Sequence, residues 1–287
     1  MVAEVLEYLK VQPDGDYLDA TLGGGGHAEA ILQILAKGRG RLLAVDRDPQ
    51  AIEQARKRLA VFGERVAVGE GNMAELARLW EASGRRPVAG ILADLGVSSL
   101  QLEEASRGFS FSLEGPLDMR MGAEGATAEE IVNRTPEQDL ANLIFKLGEE
   151  RHSRRIARAI MKARPIRTTT ELAQVVTRAI PSRAGLHHHH PATRTFLALR
   201  LAVNQELESL ESFLPQAMSV LAPGGRLAVL TFHSLEDRVV KRAFQQFDRE
   251  GQATILTRHV IRPSEAEVRS NPRARSAKLR AVEKQGN

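Results

Sequence analysis

The chain has 287 residues, 43% of them hydrophobic and 26% charged, with a formal net charge of +4 and no cysteine. That composition describes a protein with a sizeable core and one or two domains. It excludes disulfides and thiolate metal sites, and it is the composition expected in the cytoplasm. Glu4 and Glu7 interrupt the one early apolar run, so no signal peptide is expected, and no segment approaches the length of a membrane span.

In chain order, residues 1–15 read as a short helix and a turn, with Val5, Leu6 and Leu9 as its apolar edge. The run Asp16 to Leu22 then stops at four glycines, Gly23 to Gly26, and Ala28, Ile31, Ile34 and Leu35 follow at helical spacing. This is strand, turn, helix. Glycines let a backbone turn tightly and let a ligand lie against it, and the helix start offers unpaired N–H groups. Arg41 to Val45 reads as a second strand ended by Asp46, 20 positions after Gly26. In nucleotide-binding α/β folds an acid at that distance takes ribose hydroxyls. Asp48-Pro49 starts a helix, a capping acid before a first-turn proline, and Ile52, Ala55 and Leu59 continue it. Val66 to Val68 is a third strand; Val88 to Ala93 is a fourth, ending at Asp94. Strands alternating with helices predict a parallel sheet covered on both faces, whose ligands sit at the carboxyl ends of the strands. Asp19, Asp46 and Asp94 all lie there. One such acid would read as a helix cap; three beside a glycine loop favour a site.

The alternation stops from about Glu104 to Leu201. Thr135-Pro136 starts a helix carrying Leu140, Leu143, Ile144 and Leu147 and closed by Gly148; Ile156, Ile160 and Ala163 mark another; Thr170 caps a third. The expected organisation is a core of residues 1–103 and 202–287 with an all-helical insertion at 104–201. Charge is unevenly distributed across this region. Residues 100–150 hold 11 acids against four bases, and residues 151–200 hold 11 bases against Glu171 alone. Such a basic block is either a phosphate-backbone surface or a solvated arginine-rich helix face. The α/β pattern then resumes: a helix from Asn204 to Leu221, a turn at Leu221-Ala222-Pro223-Gly224-Gly225, a strand from Arg226 to Thr231, and a helix from Leu235 to Phe247. Two last strands, near 253–257 and 277–282, are expected to close the sheet as a hairpin-like pair.

Three readings of the glycine loop compete. A dehydrogenase loop reads G-x-G-x-x-G, whereas here Ala28 occupies the third position. The helix, Pro-Gly-Gly turn and strand at 221–231, together with an antiparallel end to the sheet, favour a class I methyltransferase using S-adenosylmethionine. A non-catalytic RNA-binding protein would explain the basic block but not the acids at the strand ends.

Five strings narrow this further: Asp94-Leu95-Gly96-Val97-Ser98-Ser99 with Gln101; Gly108-Phe109-Ser110-Phe111 with Gly115-Pro116-Leu117-Asp118-Met119-Arg120-Met121; His190-Pro191-Ala192-Thr193-Arg194-Thr195-Phe196; Phe232-His233-Ser234-Leu235-Glu236-Asp237-Arg238; and Asn271-Pro272-Arg273-Ala274-Arg275-Ser276. Together, in this order over nearly the whole chain, they resemble the MraW family of bacterial small-subunit ribosomal RNA methyltransferases. The resemblance implies a class I S-adenosylmethionine-dependent (Rossmann-like) core with a helical insertion. It also implies methyl transfer to N4 of a cytosine in 16S ribosomal RNA near the decoding site. The implied partner is 16S rRNA or the small ribosomal subunit, with no membrane, and a homo-oligomer is left open. Carried over by motif, the cofactor contacts fall on Gly25, Gly26, His27, Asp46, Asp94 and Gln101. Met73 stands where the family often has an aromatic residue after the third strand, which keeps an apolar surface for adenine but loses ring stacking. The His-x-Pro-Val opening common in relatives is absent.

The implied donor is already activated, so no metal is expected, and zinc is further disfavoured by the lack of cysteines and of an H-E-x-x-H pattern. The poorly nucleophilic amine needs an acceptor at its N–H groups. Asp94 is the candidate catalytic acceptor, with a purely cofactor-facing role as the alternative. His190 belongs to a family string; His187 to His189 read as a solvated loop. His233 and Asp118 read as structural hydrogen-bonding residues or as base-pocket lining, and Phe109 and Phe111 as core or as base-stacking rings.

Overall fold

A computed structural model describes residues 1–82, 84, 87–181 and 190–286. The helices are α1 (Val2–Leu9), α2 (Gly26–Leu35), α3 (Pro49–Leu59), α4 (Leu76–Ala82), α5 (Ser99–Glu103), α6 (Ala128–Arg134), α7 (Glu137–Gly148), α8 (Ser153–Ala163), α9 (Thr169–Ala179), α10 (Thr193–Asn204), α11 (Glu206–Val220), α12 (Ser234–Arg249) and α13 (Glu265–Ser270). The strands are β1 (Tyr17–Asp19), β2 (Leu42–Asp46), β3 (Val66–Glu70), β4 (Val88–Asp94), β5 (Leu221–Thr231), β6 (Ala253–Ile255) and β7 (Lys278–Lys284). The chain divides into two compact units, Met1–Val97 with Leu207–Asn287, and Ser98–Glu206. The second unit takes in α5 and the end of α10, so its limits lie outside the 104–201 expected from sequence. Among the described residues no helix is long and apolar enough to cross a membrane. The expected His187 to His189 loop falls outside the described residues.

The first unit is built on a seven-stranded sheet of order β3-β2-β1-β4-β5-β7-β6. β1 to β5 pair in parallel, and β7 runs antiparallel to both β5 and β6. That reversed seventh strand makes it the sheet of class I methyltransferases rather than the 3-2-1-4-5-6 sheet of dinucleotide enzymes. Side chains alternate between the two faces. Leu18, Leu43, Val45, Ile91 and Val229 pack on one face with Trp80 of α4, Phe213 and Leu214 of α11 and Phe244 of α12. Tyr17, Leu42, Ala44, Leu92 and Leu230 pack on the other with Val5 and Leu9 of α1, Ile31 and Leu35 of α2 and Ala55 and Leu59 of α3. Burial on both faces is why these strands read as near-continuous apolar runs. Asp48 caps α3 by accepting the Gln50 N–H at 3.0 Å, as its position before Pro49 predicts. The Pro-Gly-Gly turn is not a separate element. It is an irregularity inside β5, between the pairings Val88↔Leu221 and Gly90↔Arg226.

The second unit contains α5 to α10. Two boundary residues play parts other than those expected. Thr168, not Thr170, caps α9, because Glu171 lies three residues on and closes a reciprocal capping box. Gly148 does end α7, but the left-handed residue is Glu149, at φ 49. Glycine is needed at 148 because a Cβ there would sit 2.5 Å from the Arg194 carbonyl oxygen of α10.

Candidate active site

The strand order places β1 between β2 and β4, where the sheet's winding reverses, and the crevice beyond such a reversal is where doubly wound sheets bind ligands. Asp46, Asp19 and Asp94 end these three neighbouring strands. The glycine loop leaves β1 beside them. Its turn is closed by the Gly25 N–H donating to Leu22 O at 2.9 Å, and the Gly23 N–H donates to Asp46 Oδ2 at 2.7 Å. Gly25, at φ 78, is the residue before α2, a backbone state that costs an ordinary residue about 1–2 kcal/mol. Because Gly25 has no side chain, the first N–H groups of α2 receive no side-chain cap. Gly26 opens the helix, and a Cβ on it would meet nothing nearer than an Arg58 side-chain nitrogen at 3.8 Å. Packing within the protein therefore does not require glycine there, as expected of a backbone that a ligand approaches.

Asp46 is committed to backbone on both oxygens, since Oδ1 accepts the Asp48 N–H at 2.9 Å. Each oxygen retains a further lone pair. Burial raises the Asp46 carboxyl above its usual value, against the lowering effect of these N–H donors.

Asp19 is fully buried. Its Oδ1 accepts the Thr21 N–H at 3.1 Å, and its Oδ2 has no partner. Desolvation pushes its carboxyl up to about 7; His27 and the Thr21 N–H act the other way, and the neighbouring Asp94 and Asp46 add to the rise. Thr21 ties β1 to β4, its hydroxyl accepting the Asp94 N–H at 2.6 Å. His27, on the first turn of α2, places Nδ1 3.2 Å from Asp94 Oδ2. Burial lowers the proton affinity of that imidazole, but the hydrogen bond and charge of Asp94, with the charge of Asp19, leave it raised overall. His27 Nε2 and Asp94 Oδ1 are buried without partners, like Asp19 Oδ2. Buried polar atoms are normally hydrogen-bonded, so three unpartnered ones, two at neighbouring strand ends and one on the first turn of α2, mark a place built for something else to bind.

Met73 follows β3 at the same edge of the sheet. It opens a short 3-10 turn capped by the Asn72 side chain and packs, half-buried, against the core beside α4. Gln101 belongs to the helical unit. It is buried, and its Oε1 accepts the Ser98 N–H at 2.9 Å, closing a capping box on α5. The structure thus gathers Gly25, Gly26, His27, Asp46 and Asp94 around the end of β1 and gives Gln101 a capping bond in the other unit. Sequence reasoning counted Asp19 among three strand-end acids that favour a site but gave it no contact with the cofactor. The signal it lacked was the burial that leaves one carboxyl oxygen bare.

The remaining family strings have visible structural work. His233 caps α12 in a reciprocal box with Glu236. Asp118 grips Arg120 through both carboxyl oxygens at 2.8 Å, and the side-chain hydrogen bond from Arg120 holds that carboxyl below its usual value. Between them Met119 is buried at φ 62, its carbonyl held by Asn204 Nδ2 at 2.7 Å. Phe109 is buried, while Phe111 stacks on His190 with ring centroids 4.6 Å apart and meets Phe196 edge-on.

Comparison with known proteins agrees with this geometry. The MraW methylase family profile matches residues 1–285. Ribosomal RNA small subunit methyltransferase H of Syntrophobacter fumaroxidans is 50% identical, across 100% of this chain and 95% of its own. The protein of the same name from Gloeobacter violaceus is 51% identical across 98% of this chain and 85% of its own. Among solved structures, an rRNA-methylase candidate from Clostridium thermocellum shares the fold with a TM-score of 0.50 at 13% identity, over 99% of this chain and 96% of that one. With a family match that spans both units and relatives about half identical over nearly all of this chain, the chain belongs to the MraW methylase family.

Proposed function

We propose that this protein transfers a methyl group from S-adenosylmethionine to N4 of a cytosine in 16S ribosomal RNA, near the decoding site, in the cytoplasm. The observation that carries the reading is the set of unpartnered buried atoms, Asp19 Oδ2, His27 Nε2 and Asp94 Oδ1, beside the glycine loop. The names of the half-identical relatives support small-subunit ribosomal RNA as the substrate.

The residues present fit the cofactor. Asp19 offers a bare carboxyl oxygen to an ammonium group, whose charge would return that carboxyl to its ionised form. The spare lone pairs of Asp46 suit ribose hydroxyls, Gly25 and Gly26 present backbone without side chains, and Met73 offers an apolar surface to adenine. His27 and Gln101 complete the proposed set. In this reading residues 1–103 and 202–287 hold the cofactor, and the insertion at 104–201 holds RNA.

When bound, the cofactor supplies a methyl group already activated by its sulfonium. What remains for the chain is placement and proton handling. The amine must approach in line with the methyl, and the cytosine must leave its stack to do so. Asp94 Oδ1 is the acceptor for an amine N–H, which restores electron density to the nitrogen and takes the proton afterwards. His27 holds the other oxygen of Asp94 and so fixes the direction of the free one.

Mass spectrometry of 16S rRNA from cells with and without the gene tests the reading. A cytosine methyl group lost on deletion and restored by the purified protein with S-adenosylmethionine is expected. Unchanged rRNA in the deletion strain would reject it.

A further inference from the structure

Once folded, the cations of residues 151–200 are not equivalent. Arg164 is spent on the fold, its Nε donating to Val132 O at 2.7 Å and its Nη2 to Thr135 O at 2.5 Å. Arg200 makes a two-bond fork with Glu206, at 2.8 and 3.0 Å. Arg194 donates to Glu149 O and lies 3.9 Å from the buried Glu150. These three tie the helical unit together.

The α8 residues differ. Arg154, Arg155, Arg158 and Lys162 are all exposed, and with Arg151 just before the helix they recur at intervals of three and four. That spacing puts them on one face. The opposite face, Ser153, Ile156, Ala157 and Ile160, is buried and fixes the helix in place. Among the described residues, only Arg158 of the five cations approaches a carboxylate, Glu137 at 3.5 Å. Among the described residues the side chains of Arg151, Arg154, Arg155 and Lys162 have no hydrogen-bond or ion-pair partner.

Some exposed helix cations elsewhere in this chain are arranged otherwise, although Lys241 and Arg242 of α12 are not. Lys57 pairs with Glu53, Arg134 with Glu130 and Arg269 with Glu265, each one helical turn away. The α8 sequence contains no acid. Like charges at these spacings destabilise a helix by a few tenths of a kcal/mol per pair, and cations in the first turn oppose the helix dipole. The α8 face therefore carries an electrostatic cost that a polyanion offsets.

We propose that the exposed face of α8 docks on the phosphate backbone of ribosomal RNA, gripping the substrate without reading its bases. This rests on the ribosomal RNA reading above and adds where the protein holds that RNA. From Arg154 to Lys162 the row runs about 12 Å along the helix. Arginine forks suit phosphate oxygens, and such contacts position a nucleic acid rather than select its sequence.

The test is salt-dependent binding of the full-length protein to a 16S rRNA transcript and to isolated small subunits. Arg155→Gln with Lys162→Gln removes two cations from the row; Arg151→Gln with Arg154→Gln is an independent pair. Each double variant should bind RNA more weakly. Its slope of log affinity against log salt should be shallower by about 1.4–1.8, from 0.7–0.9 per lost phosphate contact. Binding of S-adenosylmethionine should not change. Arg134→Gln, whose guanidinium already has a carboxylate 3.1 Å away, should leave the slope unchanged. An unaltered slope in both double variants overturns the proposal, as does weakened binding to anionic phospholipid vesicles with RNA binding intact. Wild-type protein that methylates RNA while the double variants keep its slope removes the docking face alone. Wild-type protein that neither binds nor methylates RNA removes the proposed function with it.

Discussion

Replacing Asp19 by Asn keeps the shape of the side chain and removes a charge that burial opposes. Asp19 is fully buried at the end of β1, and its carboxyl is pushed from 3.8 to about 7, first of all by desolvation. In the unfolded chain the group returns to its ordinary value. Between the two values the folded protein binds a proton that the unfolded chain does not, so stability falls as pH rises. The interval is about 3 units, and at about 1.4 kcal/mol per unit the ligand-free protein loses about 4 kcal/mol across it. His27 acts in the same direction. Its proton affinity is raised in the fold, so its contribution is fully present below the ordinary imidazole value and is lost as pH rises through the raised one. Asp19→Asn removes the first effect and leaves the Asp94 part of the second. Urea denaturation of ligand-free protein at a series of pH values should show nearly equal stabilities at pH ~4. The variant should then gain about 1.4 kcal/mol per pH unit over wild type, up to about 4 kcal/mol above pH ~7. The same variant should lose calorimetric binding of S-adenosylmethionine, because the site would present an amide in place of a carboxylate. Parallel pH dependences, or a variant less stable than wild type at pH ~8, would refute the argument that an uncompensated buried carboxyl sits at the end of β1.

Asp94→Asn should reduce the single-turnover methylation rate far more than cofactor affinity; an equal fall in both, measured by rapid quench and calorimetry, would make Asp94 a cofactor contact only. Asp46→Ala strips the acceptor from the Gly23 and Asp48 N–H groups. It should cost about 1–3 kcal/mol of stability and abolish S-adenosylmethionine binding by calorimetry. Gly148→Ala forces a Cβ to within 2.5 Å of the Arg194 carbonyl oxygen, and should destabilise the helical unit by about 1–3 kcal/mol in hydrogen exchange of α7 and α10.

Local pattern alone determined much of this protein. The strand, glycine loop and helix around Gly23 to Gly26, the acids ending β1, β2 and β4, and the Asp48-Pro49 start of α3 are all legible because their causes lie within a few residues. Side-chain alternation, helical spacing, caps and glycine turns act at that range. The Thr168 cap is legible too, through Glu171 three residues on, in place of the expected Thr170. Tertiary structure decided the rest. Pairing β4 with β1 brings Asp94 against His27, and no local signal predicts which strands become neighbours. Gly148 looked like a helix terminator, and only the approach of α10 shows that it is a packing glycine. The basic block could not be divided from sequence, because a guanidinium bonded to a carbonyl and one facing water are the same letter. The folded chain separates Arg164 from Arg155. Asp19 depended most on the fold. A carboxylate becomes a site when other elements remove its water without supplying a partner, and those elements come from distant parts of the chain.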